Sequence, residues 1–202
     1  MAISDRKALA PESVEAWAER LIHAGVPGLL LREKDLDDAT LFALADRLRR
    51  LGNETSMMLS ARFDLALAAG LDGVHLPANG LPTAEVVASA GSCLRVGRST
   101  HSVEEVRQAA AEGASYVLFG PIFATPSKAA FGPPLGLGAL ERAAALGLPV
   151  LALGGIDHAR LPAVAAAGAW GAAGIRLFAA GGPCREVALT ARELWGNLAE
   201  EP

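Results

Sequence analysis

Short runs of Val, Ile and Leu alternate along this chain with longer, Ala-rich stretches of helical period. The runs are Ala2-Ile3-Ser4, Gly28 to Arg32, Ser56 to Ser60, Gly73 to Leu76, Leu94 to Arg98, Tyr116 to Gly120, Pro149 to Leu153 and Ala172 to Leu177. Between them the pattern predicts helices over Pro11–Gly25, Asp38–Leu51, Phe63–Ala69, Pro82–Ala90, a segment opened by Ser102, Gly138–Leu146 and a segment capped by Asp157. A long amphipathic helix closes the chain at about Ala199. Gly52 stops the helix before it, and Ser102 with Glu105 has the spacing of a capping box.

Eight strands, each followed by a helix, imply a parallel sheet with right-handed crossovers. Eight such units close most naturally into a (β/α)8 TIM barrel, here a compact one of 202 residues forming a single domain over 1–202. A doubly wound open sheet is the alternative. No sequence repeat of 20–50 residues is present beyond the alternation itself.

Composition narrows the partners. The net charge of −4 is not the footprint of a nucleic-acid binder. No run of 18 apolar residues suggests a membrane span, and the first residues, Met1 to Arg6, hold no apolar signal core. Cys93 and Cys184 lie far apart without metal-ligand spacing, which fits packing cysteines in a reducing cytoplasm. The expected partner is a small phosphate ester, with no nucleic acid and no membrane; a homo-oligomer is left open.

In such a barrel, chemistry gathers at the C-terminal strand ends. Those ends offer Arg32 and Lys34, Ser60 and Arg62, His75, Ser99-Thr100-His101, the stretch Gly120 to Lys128 with Thr125, Ser127 and Lys128, the pair Gly154-Gly155, and Ile175-Arg176. The collection is basic and hydroxyl-rich in an acidic chain, so it favours an anionic substrate. Only three of the eighteen basic residues are lysines (Lys7, Lys34, Lys128), and two of them sit in these segments. A compact ammonium there suits a phosphate. Gly154-Gly155 allows close backbone approach to a phosphate, or simply a tight turn. His75 alternates with apolar residues, so it serves equally as interior filling, and Arg62 has Asp64 and Asp72 within reach as surface partners.

Several of these segments together resemble the thiamin phosphate synthase/TenI family. They are Ala2 to Arg6, Leu31-Arg32-Glu33-Lys34, Arg62-Phe63-Asp64-Leu65-Ala66 through Gly73-Val74-His75-Leu76, Gly97 to Ser102, Phe119 to Lys128, and Gly154-Gly155-Ile156. The resemblance implies a barrel that binds a thiazole phosphate. In the synthase branch Mg²⁺ assists the joining of that phosphate to a pyrimidine diphosphate. By resemblance Arg32, Lys34, Thr125, Ser127 and Lys128 hold pyrophosphate, Ser99 assists at the reacting centre, and Gly155 and Ile175 bind the thiazole phosphate.

The sequence departs from that branch where its metal ligands stand. Ala61 and Gly80 occupy both aspartate positions, Ser60 replaces an asparagine, Leu30 a glutamine, and Arg176 a serine. These departures favour the TenI branch, which isomerises a thiazole carboxylate phosphate without metal. The base expected there is a histidine at the position of Pro121, so His101 is the candidate acid/base, with Ser99 and Lys128 beside it as candidate catalytic groups. The expectation is therefore a metal-independent TenI-like enzyme with no cofactor. The alternatives are a thiamin phosphate synthase with an altered Mg²⁺ site, using Asp5 or Glu33, and a non-catalytic binder of thiazole phosphate or thiamin phosphate.

Overall fold

The computed structural model describes residues 1–51, 54–125, 132–179 and 182–196. Eight parallel strands, each paired with the next in sequence, form one sheet. They are β1 (Ala2–Ile3), β2 (Gly28–Leu31), β3 (Ser56–Ser60), β4 (Gly73–Leu76), β5 (Arg95–Thr100), β6 (Tyr116–Phe119), β7 (Val150–Leu153) and β8 (Gly171–Ala173). The sheet curls back on itself: Ala2 bridges to Gly174, and the Ile3 N–H donates to the Gly174 carbonyl at 3.0 Å. The expected barrel of eight parallel strands is present, and the open doubly wound sheet is not.

The helices are α1 (Arg6–Leu9), α2 (Val14–His23), α3 (Asp38–Arg49), α4 (Phe63–Ala68), α5 (Thr83–Ala90), α6 (Val103–Ala111), α7 (Leu137–Ala144), α8 (Leu161–Ala166) and α9 (Cys184–Trp195). Local chemistry starts several of them. Asp5, Ser13, Asp37 and Ser102 each accept a backbone N–H of the first turn, which satisfies a donor that the helix itself cannot.

Two separate apolar clusters follow from strand alternation. One lies between the strands and the helices and includes Leu29, Leu31, Leu59, Val74, Leu76, Val117 and Phe119. The other fills the barrel with Ile3, Leu30, Met58, Tyr116, Leu118, Leu151 and Ala173. Burial of both faces is why strands such as β2, β4 and β6 read as continuous apolar runs.

The structure corrects the sequence reading at several points. β5 runs on through Ser99 and Thr100, two residues past the predicted end. β8 stops at Ala173, and Arg176–Phe178 is a turn of 3-10 helix, so Ile175 and Arg176 stand in a turn above the strand. Asp157 caps a 3-10 turn, His158–Arg160, which leads into α8. The short helix α1 has too little periodicity to be read from sequence. Among the described residues no helix is long and apolar enough to cross a membrane.

Candidate functional site

Arg32, Ser60, Ser99, His101, Ile175 and Arg176 all stand at the C-terminal ends of their strands or one turn beyond, at one mouth of the barrel. Arg32 follows β2 directly, and its N–H donates to Ser4 Oγ at 2.9 Å. Among the described residues its guanidinium has no hydrogen-bond or ion-pair partner, and neither has that of Arg176. Lys34 is exposed and Thr125 half-buried. Ser127 and Lys128, expected to grip phosphate, lie outside the described residues.

Arg62 does not serve the mouth. It forms ion pairs with Asp38 and with Asp64, the latter at 2.6 Å, and these carboxylates hold its proton more tightly than usual. The surface-partner reading holds for Asp64; Asp72 instead accepts the Met57 N–H at 2.8 Å.

Gly154 and Gly155 have φ of +95° and +65°. A Cβ on Gly154 would meet Pro121 Cα at 2.7 Å, and one on Gly155 the Ala124 carbonyl oxygen at 2.7 Å. The stretch from Pro121 to Ala124 therefore crosses directly over the glycine pair, and the Phe123 N–H donates to the Gly154 carbonyl at 3.0 Å. This packing by itself requires glycine at both positions.

His101 stands one residue past β5. Its Nδ1 lies 2.5 Å from the Gly120 carbonyl oxygen, and its N–H donates to Glu105 Oε2 at 2.6 Å. A carbonyl only accepts, so Nδ1 carries the hydrogen, and in the neutral ring Nε2 keeps a lone pair. Glu105 thus reaches one residue further back than a capping box does, while Ser102 Oγ accepts the Glu105 N–H at 3.1 Å. Gly120 immediately precedes Pro121, so His101 sits against the position where the resemblance expects a basic histidine.

His75 is the residue whose part the sequence reading missed. It does fill the interior, with 3% of its surface exposed, but it is also hydrogen-bonded to Ser99, with Nε2 2.8 Å from Ser99 Oγ. Burial lowers its pKa to about 3, so the ring is neutral near pH 7. The signal available in the sequence was the shared inward parity of His75 and Ser99 on adjacent strands.

The residues present do not fit a Mg²⁺ ion, which needs one or two free carboxylates beside its phosphate ligands. Ala61 supplies none. Gly80 closes a tight turn, with its N–H on the Pro77 carbonyl at 2.8 Å, and a Cβ there would press on the Pro77 ring at 2.9 Å. Asp5 caps α1, with Oδ1 accepting the Lys7 and Ala8 N–H groups. Glu33 is buried, accepting Ser4 Oγ–H at 2.6 Å and the Arg6 N–H at 3.2 Å. No group of three or more His, Cys, Asp or Glu side chains among the described residues is placed to hold a metal.

The sequence profile described as thiamine monophosphate synthase matches residues 1–178. The chain belongs to this family. A thiamine-phosphate synthase of Anaeromyxobacter dehalogenans is 45% identical over 156 residues, which is 76% of this chain and 70% of that one. Another, from Methanoculleus marisnigri, is 41% identical over 184 residues, 89% of this chain and 86% of its own. The solved thiamine phosphate pyrophosphorylase of Pyrococcus furiosus superposes with a TM-score of 0.84 at 26% identity, covering 98% of this chain and 95% of that one. The chain has the eight-stranded barrel of the family's solved member, with Ala61 and Gly80 at the two positions where the sequence resemblance expects aspartates.

Proposed function

We propose that this protein binds a thiazole phosphate at the C-terminal mouth of its barrel and isomerises it by proton transfer through His101, without a bound metal. The observation that carries the reading is the placement of His101. Its Nδ1–H is spent on the Gly120 carbonyl, and among the described residues its Nε2 has no hydrogen-bond partner. A general base must be held in one tautomer with its basic nitrogen free, and this contact does both. Arg32 and Arg176, unpaired among the described residues, supply positive charge for the ligand's phosphate, which a guanidinium binds by two parallel hydrogen bonds. Lys34, and by resemblance Thr125, Ser127 and Lys128, add to the same grip.

The proton moves in two steps. His101 Nε2 takes a proton from the thiazole ring as the electron pair withdraws into the ring system. The resulting imidazolium then returns a proton at the new position, so the base is regenerated. Ser99, on β5 two residues before His101, is half-buried at the rim.

The names carried by the relatives support a second reading, thiamin phosphate synthesis, more directly than the first. In that reaction the same basic groups stabilise a departing pyrophosphate. One experiment separates the readings. The purified chain is given thiazole phosphate carboxylate alone, then with pyrimidine diphosphate and Mg²⁺, while products are followed by NMR. Isomerisation that persists in a chelator supports the first reading. Thiamin phosphate formed only with Mg²⁺ replaces it with the second. Saturable binding without product means a non-catalytic binder.

A further inference from the structure

Three polar groups form a chain inside the barrel, among the apolar side chains of its interior. Tyr116 Oη on β6 lies 3.2 Å from His75 Nδ1 on β4, and His75 Nε2 lies 2.8 Å from Ser99 Oγ on β5. The two rings are 5.6 Å apart and tilted by 31°. Gly97 makes the contact possible. It stands between His75 and Tyr116 in the register, and a Cβ there would lie 2.2 Å from Tyr116 Cζ. Tyr116 and His75 are buried; Ser99 is two residues nearer the mouth than Gly97 and half-buried.

A neutral imidazole has one donor and one acceptor, so two arrangements compete. With the hydrogen on Nδ1, the ring donates to Tyr116 Oη and accepts from Ser99. The phenol hydrogen then finds, among the apolar side chains of the same cluster, only the weak thioether acceptor of Met58. With the hydrogen on Nε2, the phenol donates to Nδ1, the ring donates to Ser99 Oγ, and every buried donor is satisfied. An unmet buried donor is the costlier state, so the second arrangement wins. Burial keeps both groups in the neutral forms that this arrangement needs: the His75 pKa falls to about 3 and that of the Tyr116 phenol is raised. Of the charged groups nearby, Arg98 bears most on His75, and its guanidinium is turned outward onto the Leu81 and Ala78 carbonyls.

In that arrangement Ser99 Oγ already accepts from His75, and its own hydrogen is free to point outward. We propose that Tyr116 and His75 are positioning residues that hold Ser99 as a hydrogen-bond donor facing the mouth, where it meets an anionic oxygen of the phosphate-ester ligand. Ser99 is thereby a donor and not a base. The ligand half of this inference rests on the reading under Proposed function; the orientation of Ser99 does not.

The test has two parts. In the full chain labelled with ¹⁵N-histidine, NMR at neutral pH shows a protonated Nε2 and a bare Nδ1 for the ring whose signals are missing in His75→Asn. A Nδ1–H tautomer or an imidazolium at His75 overturns the proposal, whatever the ligand. In the second part, binding of inorganic phosphate and pyrophosphate is measured by calorimetry. Ser99→Ala lowers affinity by about tenfold, the loss of one hydrogen bond to a charged group. Tyr116→Phe lowers it several-fold in the wild type and has no further effect in the Ser99→Ala background. An equal Tyr116→Phe loss in both backgrounds means a merely structural tyrosine and overturns the proposal. Absence of anion binding with the Nε2–H tautomer in place overturns the ligand half alone.

Discussion

Gly97 lies directly beneath the ring of Tyr116, so close that a Cβ on the glycine would fall 2.2 Å from Cζ and 2.5 Å from Oη. The smallest residue on β5 thus determines where the largest polar side chain of the interior can lie. Gly97→Ala must push that ring aside and break its contact with His75. Overpacking of this kind costs about 1–3 kcal/mol. Urea unfolding is expected to show that loss, with the His75 NMR signal altered; an unchanged midpoint would show that the ring has room to move.

Ala61 has φ of +68°, a left-handed conformation that only Gly and, less often, Asn or Asp adopt easily. Its N–H donates to the His75 carbonyl at 2.9 Å, which holds the backbone there. An alanine in this region costs about 1–2 kcal/mol, and glycine gives back about 0.5–1 through its freer unfolded chain. Ala61→Gly is therefore expected to stabilise the fold by about 0.5–1 kcal/mol, read as a higher urea midpoint at unchanged m-value.

His75 makes stability depend on pH in a stated direction. Its folded pKa is about 3 and its ordinary value 6.5. Between those values the unfolded chain binds a proton that the folded chain does not, so stability rises with pH there. The contribution is complete above about pH 6.5 and is lost as the pH falls toward 3, at up to about 1.4 kcal/mol per pH unit. Unfolding free energies of wild type and His75→Asn, measured from pH 7 to pH 4, should differ by that slope; parallel curves would mean that His75 protonates without penalty.

Arg32 and Arg176 carry the mouth's unpaired charge among the described residues. Replacing either with Ala should weaken phosphate-ester binding by about 1.5–3 kcal/mol, and added salt should weaken the wild type in the same direction. Lys128→Ala is expected to do the same on the strength of its sequence motif. Calorimetric affinities unchanged in all three would place the anion elsewhere.

His101→Gln keeps the side chain's polarity and removes the base. Turnover of the thiazole phosphate should fall by about 10²–10⁴-fold, the usual worth of general acid–base catalysis, with affinity nearly retained. Equal loss of affinity and turnover would make His101 a binding group.

Much of the fold was legible because its causes are local. Runs such as Ser56–Ser60 and Gly73–Leu76 are buried on both faces, so they read as apolar strands, and their observed bounds match those expected. The end of β8 was misread because Ile175 and Leu177 continue an apolar run while the chain turns toward α9, a bend set by contacts and not by composition. The basic mouth was visible as a set of strand-end residues. Which of them it keeps was not: Arg62 looked like Arg32 in sequence, yet Asp38, 24 residues away, draws it out of the site.

By itself, the sequence determined the eight β/α units, the family and the kinds of chemical group at the strand ends, since alternation, caps and motifs are written in neighbouring residues. The tertiary structure decided the pairings: His101 on Gly120, Glu33 on Ser4, and Tyr116 across Gly97 to His75 and Ser99. Those depend on register between strands and on a missing Cβ, and a hydrogen bond of about 3 Å is settled by packing that no local pattern encodes.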